Sequence, residues 1–188
     1  MIIALTGRPG IGKTTVFRKV VDELVRDGIH VYGFVCPEVR EGGRRIGFKI
    51  VDIADERNSC WLAVAIDRAQ QLAPNARFGK RVGRYLTVLE AETVGMQALS
   101  RNVPEPKLLA IDEIGPMELS LPGLRRSIID SIKEAKTALL VIHRSLRDIE
   151  IMNILRSRDA KIIIVTELNR EELPHKIVNE FRQALLRP

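Results

Sequence analysis

Eight consecutive residues, Gly7-Arg8-Pro9-Gly10-Ile11-Gly12-Lys13-Thr14, match the pattern G-x-x-x-x-G-K-[ST]. At average composition, a chance match in a chain of 188 residues is on the order of one in a hundred. Context sharpens the reading: the apolar run Ile2 to Thr6 precedes the glycines, and an amphipathic stretch follows them. Gly7, Gly10 and Gly12 allow backbone N–H groups to curve around phosphate oxygens where a β-carbon would block approach. The helix opening near Lys13 aims its positive dipole end at the same anion. Lys13 is expected to bridge the β- and γ-phosphates, with Thr14 offering its hydroxyl to Mg²⁺. The nucleotide-binding segment is therefore Gly7, Arg8, Pro9, Gly10, Ile11, Gly12, Lys13, Thr14 and Thr15.

A strand–loop–helix start restricts what the rest of the chain can be. Val16, Phe17, Val20, Val21, Leu24 and Val25 recur at helical spacing from Lys13 to Arg26, and Gly28 ends that helix. Leu108 to Ile111, Ala138 to Ile142 and Lys161 to Val165 are apolar on both faces, as strands buried in a parallel sheet are. Helical patterns separate them at Leu124 to Ala135 and Ser145 to Leu155, and a last helix holds Ile177, Val178, Phe181 and Leu185. Alternating strands and helices imply right-handed βαβ units and a three-layer α/β fold of the P-loop type. One segment departs from that rhythm. Val31 to Val35 reads as a strand, Glu41-Gly42-Gly43-Arg44 as a hairpin turn, and Ile46, Phe48 and Ile50 as a returning strand, which gives an antiparallel hairpin insertion. Gly79 to Arg84 reads as a basic loop, followed by a helix from about Val88 to Leu99. No repeat or linker divides the chain, so one domain spanning 1–188 is expected.

Composition excludes other classes. A hydrophobic fraction of 45% is too high for disorder. No apolar run approaches the roughly 18 residues that span a bilayer, and Met1 to Gly7 lacks the basic start of a signal peptide. No membrane association and a cytoplasmic location are expected. Cys36 and Cys60 have neither zinc-site nor disulfide-framework spacing and read as small buried hydrophobes. The net charge of +6 suits nucleotides or nucleic acid. Five Phe, two Tyr and one Trp are few for stacking single-stranded bases.

The run Leu108-Leu109-Ala110-Ile111-Asp112-Glu113 ends a buried strand in two carboxylates. Beside a phosphate loop this is the Walker B element, with Asp112 expected to hold Mg²⁺ directly or through water. Glu113, one position later, can polarise a water for attack on the γ-phosphate, so Lys13 and Glu113 are the catalytic candidates. His143-Arg144 follows the strand Ala138 to Ile142 and belongs at the same sheet edge. His143 is a γ-phosphate sensor or a strand-end histidine bonded to backbone; Arg144, or Arg147 a turn later, is an arginine finger or a solvated helix-start charge. Arg40, Arg44 and Arg45, and Arg77, Lys80, Arg81 and Arg84, are phosphate clamps or solvated faces. Gly115 and Met117 read as structural, Trp61 as a core anchor, and Glu118 as either a supporting carboxylate or a helix N-terminal charge.

The string Ile111-Asp112-Glu113-Ile114-Gly115-Pro116-Met117-Glu118-Leu119 resembles the signature of the small P-loop nucleoside-triphosphatases of thermophiles, the family of the human cancer-related nucleoside-triphosphatase. Gly33-Phe34 with Glu38-Val39-Arg40, Arg45-Ile46-Gly47-Phe48, and Gly83-Arg84-Tyr85 with Val88 are similar to further family segments in the same order. Arg8 departs from the acidic or neutral residue that members often carry. The resemblance implies Mg²⁺-dependent hydrolysis of ATP, GTP, CTP, UTP and similar nucleotides to diphosphate and phosphate. It also implies broad base tolerance, with which the lack of an Asn-Lys-x-Asp element is consistent. Two alternatives stay open: a kinase passing the γ-phosphate to a small acceptor, and a nucleotide-gated nucleic-acid-binding module. Nucleoside triphosphates are the expected partners, nucleic acid is the less favoured one, and a monomer is expected.

Overall fold

The computed structural model describes residues 1–186. Its frame is a ten-stranded sheet in which five parallel strands, β10-β1-β9-β8-β2, continue into the antiparallel run β4-β5-β7-β6, with β3 paired to β4. The parallel strands are β1 (Ile2–Thr6), β2 (His30–Val35), β8 (Lys107–Ile114), β9 (Ala138–Ile142) and β10 (Lys161–Ile164). The antiparallel strands are β3 (Glu38–Glu41), β4 (Arg44–Asp52), β5 (Ser59–Ala65), β6 (Phe78–Val82) and β7 (Tyr85–Val88).

Continuous apolar runs in β1, β8 and β9 follow from burial on both faces. Along β1, Ile2 and Ala4 enter one core while Ile3 and Leu5 enter the other. The same alternation runs through Leu108 to Ile111 and Ala138 to Ile142. The first core is closed by α3 (Ala91–Leu99), α5 (Pro122–Glu134) and α6 (Ile149–Ser157), and the second by α1 (Lys13–Arg26) and α7 (Leu173–Leu185). Each fully buried Leu, Ile, Val or Phe contributes about 1.5–3 kcal/mol, so these stripes carry the fold. Arg182 on α7 reaches Asp27 at 2.7 Å and Glu23 at 3.0 Å, tying the two helices of the second layer together.

Gly33 sits at φ +122 in β2, where a β-carbon would lie 2.0 Å from the Ala110 carbonyl oxygen. Only glycine lets β2 lie against β8 there. At the far edge of the parallel half, Asp52 is fully buried and accepts from Arg101 at 2.7 Å and from the Ala54 N–H at 2.9 Å.

Several boundaries differ from expectation, each for a local reason. The expected turn at Glu41 to Arg44 and the returning strand β4 are present, but the arm opposite β4 is the short β3, because Val31 to Val35 belong to β2 and pair parallel with β8. Antiparallel pairing then extends through β5 to β7 and β6. The basic segment 79–84 is not a loop. It is strand β6 turning over Gly83-Arg84 into β7, with Val82 opposite Tyr85; its exposed Lys80 and Arg81 mask the strand pattern. Val88 ends that hairpin, so α3 begins at Ala91. Helix α6 begins at Ile149 because Asp148 caps it, accepting from the Ile151 N–H at 3.2 Å. Strand β10 lies at the sheet edge, so Ile162 and Ile164 are 46% and 63% exposed rather than buried.

Candidate active site

Parallel strands present their carboxyl ends at one rim of the sheet, where ligands of such folds bind. The loop from Gly7 to Gly12 leaves β1 at that rim, and α1 starts at Lys13 behind a left-handed Gly12. Gly7 has φ +148, and a β-carbon on it would stand 2.8 Å from the Val165 carbonyl oxygen, so the loop begins on the floor set by β10. Lys13 folds back over the loop, its Nζ donating to the Gly7 and Arg8 carbonyl oxygens at 3.2 and 3.3 Å. That pose holds a half-buried ammonium over the loop.

Strand β8 lies two places from β1, with β9 between. It extends past Ile111 through Asp112 and Glu113 to Ile114. Asp112 is only 5% exposed. Burial pushes its carboxyl up to about 6, opposed by a hydrogen bond from the Thr14 hydroxyl and by the charges of Arg18 and Lys13, while Glu113 adds to the rise. Glu113 is half-buried, and burial raises its carboxyl above the usual range against the pull of Lys13. The rim thus brings Lys13, Thr14, Asp112 and Glu113 into one electrostatic group.

His143 joins it. Its backbone N–H donates to the Ile114 carbonyl at 3.0 Å, and its Nδ1 accepts from the Ser145 N–H at 3.2 Å. Burial, then the charges of Lys13 and Arg144, hold the ring below its ordinary value. It is therefore neutral at pH 7, with the proton on Nε2. Arg144 is exposed and lines a cavity of about 410 Å³ with Arg8, Ile11, Thr166 and Glu167, directly beside the phosphate loop. Arg147 instead lines a separate cavity of about 620 Å³ with Arg125 and Asp148. That larger cavity is lined by none of residues 7–15, Asp112 or Glu113.

The other arginine groups lie on the antiparallel half, and most have local partners. Arg40 bonds Glu38 at 2.6 Å, Arg45 also pairs with Glu38, Arg44 meets Asp67 at 2.7 Å, and Arg77 meets Glu90 at 3.0 Å. Lys80, Arg81 and Arg84 are exposed on the β6–β7 hairpin. Trp61 packs in a third apolar cluster with Val64 and Val88, with Lys49 Nζ 5.9 Å from its ring centre. Both cysteines are half-buried rather than fully buried, and burial pushes both thiols up. Among the described residues no three His, Cys, Asp or Glu side chains are grouped as a metal cluster.

Two residues near the rim were not read as site residues. Arg170 follows β10 and its guanidinium is 3.5 Å from the Ile11 carbonyl oxygen, with Cδ 3.6 Å from the point a β-carbon on Gly12 would occupy. Asn169 shapes that approach, accepting from the Thr166 N–H and donating to the Ile164 carbonyl, both at 2.9 Å. A polar segment after the last parallel strand was the available signal. Arg18 is the second, four residues past Thr14 on α1 and close enough to act on Asp112; the i, i+4 spacing was its signal.

These features define a P-loop protein that handles nucleoside triphosphates. Comparison with known proteins narrows the class: a family model described as NTPase matches residues 2–178, and the chain belongs to that family of nucleoside-triphosphatases. It is 44% identical over 186 residues to the nucleoside-triphosphatase THEP1 of Hyperthermus butylicus, covering 98% of this chain and 93% of that one. The THEP1 of Ignicoccus hospitalis is 46% identical over 170 residues, covering 90% of each. Among solved structures, a human cancer-related nucleoside triphosphatase superimposes with a TM-score of 0.76 at 30% identity, covering 97% of this chain and 98% of that one. THEP1 from Aquifex aeolicus also gives 0.76, at 26% identity over 96% of this chain and 98% of that one.

Proposed function

We propose that one domain, residues 1–188, hydrolyses nucleoside 5′-triphosphates to diphosphate and phosphate with Mg²⁺ and with little preference among bases. The observation that carries this reading is the position of Glu113, half-buried beside Lys13 and adjacent in sequence to Asp112. Gly7 to Thr15 supply backbone amides to the phosphates, and Lys13 supplies the charge that the β- and γ-oxygens need. Releasing the Gly7 and Arg8 carbonyls frees the ammonium for that task.

The donor set suits magnesium. Thr14 and Asp112 offer a hydroxyl and a carboxylate side by side, and a Mg²⁺ site needs only one or two such oxygens when phosphate and water complete it. The buried Asp112 charge gains a partner there. Bound magnesium neutralises charge on the phosphate oxygens. Thr14 and Asp112 would hold it, and Glu113 orients the attacking water and accepts its proton. Neutral His143 offers Nε2–H, and Arg144 a charge, toward the γ-phosphate; Arg147 is left outside this scheme. Base tolerance is supported by the lining of the 410 Å³ cavity beside the loop, which includes no Asn or Gln side chain to read a base edge. A substrate pool of common nucleoside triphosphates supports a cytoplasmic location.

The test is phosphate release from ATP, GTP, CTP and UTP with Mg²⁺ and no acceptor, repeated with excess EDTA. Comparable release from all four, lost with EDTA, is expected. ATP consumption that begins only when a nucleoside or nucleotide acceptor is added would make the protein a kinase instead.

A further inference from the structure

The carboxylate of Glu118 has no part in the scheme above, yet it is 5% exposed and lies close behind Glu113. Its Oε2 accepts from the Gly115 N–H at 3.0 Å, and the Cys36 thiol lies beside it. It belongs to the single-turn helix α4 (Pro116–Leu119) that follows β8, and its carboxylate reaches back to the backbone N–H of the helix's N-cap, Gly115. A cap alone does not require burial. Capping carboxylates do their work in water, whereas a buried one carries a desolvation cost that must be offset. Burial pushes this carboxyl up to about 7.

Geometry suggests what offsets the cost. The point where a β-carbon on Gly115 would stand is 3.3 Å from Glu118 Oε2, 3.4 Å from His143 Cβ and 3.5 Å from Glu113 Oε1. Three side chains therefore close around one backbone position, with Glu113 and Glu118 both touching it. In the segment 113–115 the Ile114 carbonyl is held by His143 N–H and the Gly115 carbonyl by Leu119 N–H at 3.0 Å, while the Gly115 N–H is held by the Glu118 side chain. We propose that Glu118 is a positioning residue for hydrolysis, fixing the turn at Gly115 so that the Glu113 carboxylate stays aimed at the phosphate loop. This rests on Glu113 being the group that activates water. Misplacing such a group by about 1 Å costs on the order of 10² in rate.

The experiment is a double-mutant cycle on the intact chain, reading kcat for ATP and the Kd of ADP. Glu118→Ala is expected to lower kcat about 10- to 100-fold while ADP affinity stays within about threefold. Glu118→Gln, which keeps an acceptor for the Gly115 N–H, restores kcat to within about threefold of wild type. Added to Glu113→Gln, the Glu118→Ala change produces no further loss, because the residue it positions is already gone. A general structural defect would slow Glu113→Gln by the same factor as wild type, and that result overturns the proposal. Wild-type kcat in Glu118→Ala overturns it as well. Wild-type kcat in Glu113→Gln removes the water-activation reading and this proposal together, a result distinct from the other two. If circular dichroism shows Glu118→Ala unfolded, Gly115→Ala takes its place, since its methyl group crowds the Glu118 carboxylate at 3.3 Å, with Glu113 only in ordinary contact at 3.5 Å, at an unstrained φ of −145. The same two outcomes, no added loss or an equal loss on the Glu113→Gln background, then decide.

Discussion

Asp112→Asn should make the ligand-free protein more stable while removing its magnesium response. The Asp112 carboxyl is pushed from an ordinary 3.8 to about 6, chiefly by burial. A folded value above the unfolded one means the native state holds the proton more tightly, so stability falls as pH rises from about 4 to about 6 and stays reduced above that. About two units at 1.36 kcal/mol each make the ionised group cost about 3 kcal/mol at pH 7.5. Asparagine carries no charge and still accepts from the Thr14 hydroxyl. Urea unfolding at pH 7.5 should therefore place Asp112→Asn about 2–3 kcal/mol above wild type, or roughly 5–10 °C higher in a thermal scan. At pH 4.5 the gap should shrink to about 1 kcal/mol, because wild type is then mostly protonated. Mg²⁺ with ADP should raise the midpoint of wild type far more than that of the variant. Equal stabilities at pH 7.5, or a gap that does not narrow with acid, would refute the reasoning.

Lys13→Ala removes the ammonium above the loop amides and should weaken ATP binding about 10- to 100-fold, read by calorimetry or fluorescence titration. Arg101→Ala leaves the fully buried Asp52 without its charged partner. Urea unfolding should show a loss of about 3 kcal/mol with m unchanged. Gly33→Ala drives a methyl group to 2.0 Å from the Ala110 carbonyl oxygen at a left-handed φ, and should leave little folded protein on size exclusion; a normally stable variant would contradict the close approach of β2 and β8.

Parallel strands and the phosphate loop were legible because burial on both faces leaves a plain signal: β1, α1 and β9 fall where the apolar spacing puts them. The antiparallel half was harder. Strand β6 carries Gly79 and the exposed Lys80 and Arg81, and β5 does not alternate, being half-buried over Ser59 to Trp61 and buried from Leu62 to Ala65, so neither shows the period-2 pattern that marks a strand. An apolar run also cannot tell a central strand from an edge, which is why β10 was expected to be buried. At the site, Asp112 and Glu113 were readable from their place after a strand. Arg170 was not, because its relation to Gly12 spans 158 residues and exists only once β10 has paired with β1. The burial of Glu118 likewise depends on Cys36 arriving from the end of β2.

The central claim is that Glu113 activates the water that attacks the γ-phosphate. Single-turnover phosphate release from saturating ATP with Mg²⁺ and no acceptor, in wild type and Glu113→Gln, tests it most directly. A fall of about 10²-fold or more with ATP affinity unchanged is predicted. Release at the wild-type rate from the variant would contradict it.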